Sequence, residues 1–169
     1  DGDSWLEFRR VLFRSPSVVS TKSVPKQLHL LVLHIKLSNN SLLTVAGCYQ
    51  PSSPPACTLN ALSSLLAPYT KSEFVLLGDL NWDMLKPPDQ VLKQWDSLNL
   101  SQIITNPTRY DSKHPEKATL LDVILTNNPD RYQSGVFCND PSGHCFTACA
   151  VMAICCAATM LHRCHAVLS

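Results

Sequence analysis

Asp79 and Asn81 are the first residues in this sequence placed to do chemistry. They stand directly behind the apolar run Glu73–Leu77 (EFVLL), in Gly78-Asp79-Leu80-Asn81. A carboxylate at the end of a buried strand has a rigid support, from which it can orient a water or bind a cation. An amide two residues later can donate to a phosphate oxygen without adding negative charge. The same four residues read equally well as an ordinary turn. Asp122 is sharper, because it stands alone in Leu-Leu-Asp-Val-Ile-Leu (120–125). A buried carboxylate is costly unless paired, and a histidine that it orients is an economical partner. The alternative is a face-alternating strand that points Asp122 at solvent. His144, in Pro-Ser-Gly-His, is a candidate partner, although a lone histidine is more often structural or merely exposed. Tyr49 closes an apolar run before Gln-Pro-Ser. Its phenol could reach a phosphate, or simply cover the sheet end. His29, His34, His114, His162 and His165 are less specific.

The elements that must position these residues alternate between strand and helix. Leu28–Leu37 and Leu42–Tyr49 are apolar runs joined by Ser-Asn-Asn-Ser, which predicts a β-hairpin. The prolines of 50–56 exclude regular structure there. Leu59, Leu62, Leu65 and Leu66 recur at helical spacing and predict a helix over Thr58–Pro68 with Thr58 as N-cap. Glu73–Leu77 reads as a strand buried on both faces. A second helix is expected over Val91–Leu98, with Val91, Leu92, Trp95 and Leu98 on its inner side. Further strands are expected at Gln102–Thr105, Leu120–Leu125, Gly135–Cys138 and Cys145–Val151. Mixed elements with polar residues at the strand ends indicate a layered α/β domain, its site along one sheet edge.

Composition bounds the partners without naming them. The chain has 169 residues, enough for one domain with a real core, and a formal net charge of +1. No overall field therefore announces a polyanion, although charge can still cluster locally. Six of the eight cysteines (Cys138, Cys145, Cys149, Cys155, Cys156 and Cys164) crowd the C-terminal end inside an apolar run. That distribution is unlike a secreted disulfide scaffold and reads as a reducing, intracellular compartment. The spacing of Cys155, Cys156, His162, Cys164 and His165 does not match a structural zinc site. The uncharged run Cys145–Leu161 is short and weakly apolar for a membrane span, so no membrane partner is expected.

Five segments together resemble one family: Val45–Pro51 (VAGCYQP), Phe74–Asn81 (FVLLGDLN), Asn106–Arg109 (NPTR), Leu120–Leu125 (LLDVIL) and Ser142–His144 (SGH). They resemble the endonuclease/exonuclease/phosphatase (DNase I-like) superfamily. The Asn-Pro-Thr-Arg element and the Asp122 strand are similar to endonuclease domains of LINE-type retrotransposons. The resemblance implies a four-layer α/β sandwich, here a partial one comprising mainly the C-terminal sheet with its helices. It also implies Mg²⁺-dependent phosphodiester cleavage, DNA as partner, and a nuclear location if functional.

By that resemblance, Asp79 aligns or deprotonates the attacking water. Asn81, assisted by Tyr49, binds the scissile phosphate, and His144, oriented by Asp122, stabilises the charge developing there. The family's Ser-Asp-His reads Ser-Gly-His, so Gly143 stands where a carboxylate is expected. The family's principal metal-ligand Glu has no counterpart either, since Asp1, Asp3 and Glu7 lie in no matching context. Weak Mg²⁺ binding and an inactive, truncated domain follow. A non-catalytic remnant binding nucleic acid or protein is the alternative, and a phosphatase of the same superfamily a third reading. The likeness covers 24–149. Residues 1–23 and the tail 150–169 fall outside it, and Trp5–Ser15 resembles translated adapter sequence. Half a sandwich also leaves apolar surface uncovered, which predicts poor solubility.

Overall fold

The computed structural model describes residues 13–24, 28–37, 39–52, 57–111, 114–137 and 145–151. Among the described residues, ten strands and two α-helices follow one another: β1 (Phe13–Val24), β2 (Leu28–Leu37), β3 (Leu42–Tyr49), α1 (Thr58–Leu66), β4 (Glu73–Asp79), α2 (Asp89–Ser97), β5 (Ser101–Gln102), β6 (Arg109–Asp111), β7 (His114–Thr119), β8 (Asp122–Thr126), β9 (Tyr132–Phe137) and β10 (Phe146–Val151). Six strands make one mixed sheet in the order β1-β2-β3-β4-β8-β5, and β9–β10 and β6–β7 form two-stranded sheets. The expected hairpin is present, with β2 and β3 antiparallel from His29↔Tyr49 to Lys36↔Leu42. β3 and β4 run parallel, which requires a crossover, and α1 lies within it.

Strand alternation divides the main sheet into two faces. Leu28, Leu30 and Val32 of β2, Ala46 and Cys48 of β3, Phe74 and Leu76 of β4, and Val123 and Leu125 of β8 are all buried. They form one cluster with Leu59, Leu62 and Leu66 of α1 and Val91 and Trp95 of α2. On the opposite face Val75 and Ile124 are buried, and Tyr132, Val136 and Cys149 of the β9–β10 pair join the core. That face is otherwise less covered: Leu31 is exposed and Leu33, Val45 and Leu77 are half-buried. Phe137 and Phe146, paired across β9 and β10, are also exposed.

Several expected boundaries move, each for a physical reason. Thr58 is the first residue of α1 and not its cap. Cys57 occupies the cap position and makes no side-chain cap hydrogen bond, while the buried Thr58 hydroxyl has no partner. α2 starts at Asp89 because the Pro88 carbonyl already accepts from Val91 N–H (2.9 Å) and Leu92 N–H (3.3 Å). Leu92, expected on the inner side, is exposed. The strand expected over Gln102–Thr105 shrinks to β5, because the Gln102 side-chain oxygen takes Ile124 N–H (3.0 Å) and ends the ladder. β9 begins at Tyr132, three residues before the expected Gly135, and Cys138 lies outside the described residues. β1, β6 and β7 were not expected. β1 pairs along β2 from Phe13↔Leu37 to Val24↔Leu28, so the main sheet extends across the boundary drawn at residue 23. β10 likewise crosses residue 149.

Candidate active site

Sheet register brings three of the candidates into one row. Tyr49 is the register partner of Asp79 on β4, and Asp79 is the partner of Asp122 on β8. Register partners in a sheet share a face, so a phenol and two carboxylates stand side by side on three adjacent strands. His29 extends the row by one strand, its ring stacked on Tyr49 with centroids 6.3 Å apart. Tyr49 is about half exposed and both aspartates are half-buried. Like charges directly opposite each other on paired strands are mutually destabilising. The Asp79–Asp122 rung therefore favours positive or hydrogen-bond-donating character beside it.

Asn81 joins the row through a tight turn. Its backbone N–H donates to Asp79 Oδ1 at 2.9 Å, and its φ of 51° lies in the left-handed region that asparagine tolerates. Its Nδ2 donates to the Gln50 carbonyl at 2.7 Å. An amide nitrogen carries two hydrogens, so one remains to address a phosphate. Gln50, directly after Tyr49, is fully buried. Its backbone N–H donates to the Asp79 carbonyl at 2.9 Å, and its side-chain N–H donates to the Leu80 carbonyl. Gln50 thus knots the end of β3 to the Asp79–Asn81 turn.

Gly78 permits the rung to form. Its φ is 152°, and a Cβ there would lie 1.7 Å from the Cys48 carbonyl oxygen. The absence of a side chain lets β4 approach β3 directly before Asp79.

Asp122 is the first residue of β8, not a residue inside a strand as its sequence context suggested. The two residues before it are bonded elsewhere. Leu120 N–H donates to Asp83 Oδ1 (3.1 Å), and the Leu120 and Leu121 carbonyls accept from Met84 (2.8 Å) and Leu80 (3.1 Å). Thr108 Oγ1 accepts from both Leu121 N–H and Asp122 N–H, each at 3.0 Å. The Thr108 carbonyl accepts from Cys145 N–H at 2.6 Å.

His144, with Ser142 and Gly143, lies outside the described residues. Of the five candidates the structure brings together Tyr49, Asp79, Asn81 and Asp122. Sequence reasoning missed Gln50, Gly78, Asp83, Thr108 and His29 as contributors. Gln50, Gly78 and Thr108 lay inside segments already singled out, but their roles depend on contacts between distant parts of the chain.

The thiols bear on the expectation of a reducing compartment. Cys145 is disulfide-bonded, which departs from that expectation; Cys48 and Cys149 are free. Burial pushes the Cys48 thiol up to about 12 and also raises Cys149. Among the described residues no three His, Cys, Asp or Glu side chains form a group that could hold a metal ion. No helix among them is long and apolar enough to cross a membrane.

No protein-family model matches the sequence, and no curated protein matches it. Solved structures do. An endonuclease/exonuclease/phosphatase family protein from Leptotrichia buccalis is similar over 85% of this chain, with a TM-score of 0.61 and 14% identity. The endonuclease domain of TRAS1, a telomere-specific non-LTR retrotransposon, is similar over 90% of this chain and 91% of its own, with a TM-score of 0.61 and 12% identity. A Bacteroides thetaiotaomicron protein of the same family description gives 0.53 over 73% of this chain at 13% identity. The chain spans 63% of the Leptotrichia protein and 56% of the Bacteroides protein. The fold is the α/β, DNase I-like fold of these proteins.

Proposed function

We propose that residues 24–149 are a phosphodiesterase domain of the LINE-retrotransposon endonuclease type, acting on DNA in the nucleus, and that this chain by itself does not turn over. The observation carrying the reading is the row Tyr49–Asp79–Asp122 across three adjacent strands, with Asn81 turned beside it. In-line attack on a phosphate needs an oriented nucleophile and donors aimed at the developing charge. Asp79 takes the first role, accepting a proton from the attacking water. Asn81 Nδ2 and the Tyr49 hydroxyl take the second, each offering a donor to a non-bridging oxygen. By the resemblance, Asp122 would orient His144, which lies outside the described residues, toward the charge developing on the phosphate.

Mg²⁺ is the metal that the family resemblance implies. A Mg²⁺ site takes one or two protein carboxylates in near-octahedral array. Asp79 and Asp122 are the two carboxylates of the row, and Asp79 Oδ1 is engaged by Asn81. Gly143 adds none, and no metal-holding group of three exists among the described residues. Asp79 and Asp122 supply the number of protein carboxylates a Mg²⁺ site uses, but among the described residues no third ligand stands with them, so no step is routed through the ion. The proposed state is a phosphate-side half site that binds DNA without cutting it. Incubation with supercoiled plasmid and Mg²⁺ is expected to leave the plasmid closed. Nicking that is lost in His144→Ala would overturn the proposed inactivity while supporting the site.

A further inference from the structure

We infer that Thr108 is a positioning residue of the phosphate site, acting through the backbone that carries Asp122. The inference rests on the reading of the preceding subsection. Thr108 touches none of the candidate side chains through a bond of its own, yet it is fully buried and engages three segments at once. Its N–H donates to the Thr119 carbonyl at 2.9 Å. Its Oγ1 accepts two backbone hydrogens, from Leu121 and Asp122, at 3.0 Å each. Its carbonyl accepts from Cys145 at the start of the β10 segment.

A hydroxyl oxygen has two acceptor lone pairs, so the two N–H groups use its full accepting capacity. A buried backbone N–H left without a partner is rare and costly. Leu121 precedes the ladder with β4, which begins at Asp79↔Asp122, and the Leu80 carbonyl beyond Asp79 accepts from the Gln50 side chain. Thr108 therefore substitutes for the ladder where β8 starts. It fixes where along the chain the strand begins, and hence that Asp122 faces Asp79. A slip of one residue would turn Asp122 to the other face. The same residue holds Cys145, so the backbone of the Asp122 segment and that of the β10 segment are set by one side chain and its carbonyl. The Asn-Pro-Thr-Arg motif thus gains a role that its sequence alone did not reveal.

The test compares Thr108→Val, which keeps shape but removes the acceptor, with Thr108→Ser, which keeps the acceptor. Two readouts are taken on the full chain by NMR: amide exchange at Leu121, Asp122 and Cys145, and affinity for the dinucleoside phosphodiester TpT. In T108V, exchange at Leu121 and Asp122 is expected to rise at least about tenfold while Leu76 and Val75 stay protected. TpT affinity is expected to fall about tenfold, and T108S is expected to restore both. Should T108V fail to melt cooperatively, Thr108→Ala, where a water can replace the hydroxyl, is expected to fall between the two. Wild-type TpT affinity retained in T108V or T108A overturns the inference and leaves the phosphate site standing. Absence of TpT binding by the wild-type chain overturns the site itself, and the inference with it.

Discussion

Gly78→Ala should do more damage than any other single methyl added to this sheet, and its neighbour Gly47 provides the control. The Gly78 backbone has φ 152°, a conformation that residues with a side chain rarely adopt, and the new Cβ would lie 1.7 Å from the Cys48 carbonyl oxygen and 2.7 Å from its carbon. Both are backbone atoms, so no side chain can swing away. The strained backbone costs about 1–3 kcal/mol and the overpacking a further ~1–3 kcal/mol. The sum is a large share of the roughly 5–15 kcal/mol that holds a domain together. At a urea m-value of about 2 kcal/mol/M, the midpoint should fall by about 1–3 M. Gly47, on the adjoining strand, has nothing within 4 Å of its added Cβ and no positive φ. Gly47→Ala should be neutral or stabilise by about 0.4–1 kcal/mol through the unfolded chain. The assay is urea unfolding followed by tryptophan fluorescence. Equal midpoints for the two variants would refute the close-approach argument.

Asn81→Ala removes the bond to the Gln50 carbonyl and places alanine at φ 51°; a loss of about 2 kcal/mol is expected by thermal melt. Asn81→Gly, which relieves the backbone but not the lost bond, should recover part of it, and equal losses would contradict this division. Alkaline pH should destabilise the fold. Burial raises the Cys48 and Cys149 thiols, and burial followed by the Glu73 hydrogen bond raises the Tyr132 phenol. The neutral forms are favoured in the folded state, so their contribution is complete below the unfolded values and is lost as pH rises past about 9 for the thiols and about 10 for the phenol. A melting temperature flat to about pH 8.5 and falling above it is expected; constancy to pH 11 would contradict it. Alkylation at pH 8 should label the buried Cys48 only after unfolding, as mass spectrometry of the labelled chain would read.

The strands that build the site were legible because each is a contiguous apolar run: Leu28–Leu37, Leu42–Tyr49 and Glu73–Leu77 all lie in observed strands of one sheet. Asp79 was legible because it stands at the end of such a run. What stayed hidden was bonded across the chain. Asp122 reads as mid-strand, but Thr108, fourteen positions earlier, takes its N–H and makes it the first residue of β8. β5 stops early because one glutamine side chain replaces a backbone acceptor. Leu92 fits the helical periodicity and still faces solvent, since periodicity names a face but not the width of what covers it. The pairing of β1 with β2 was hidden for another reason. Phe13–Val24 mixes Ser, Thr, Lys and Pro without clean alternation, and its strand state rests on the neighbour it pairs with.

Tyr49, Asp79, Asn81 and Asp122 are proposed to form one phosphate-binding row. The row is tested most directly by mapping amide chemical-shift changes as a short DNA duplex is titrated into the chain at low salt. The largest changes should fall at 49–50, 78–82 and 121–123. Changes centred on α1, α2 or the β6–β7 hairpin, with the row silent, would contradict the account.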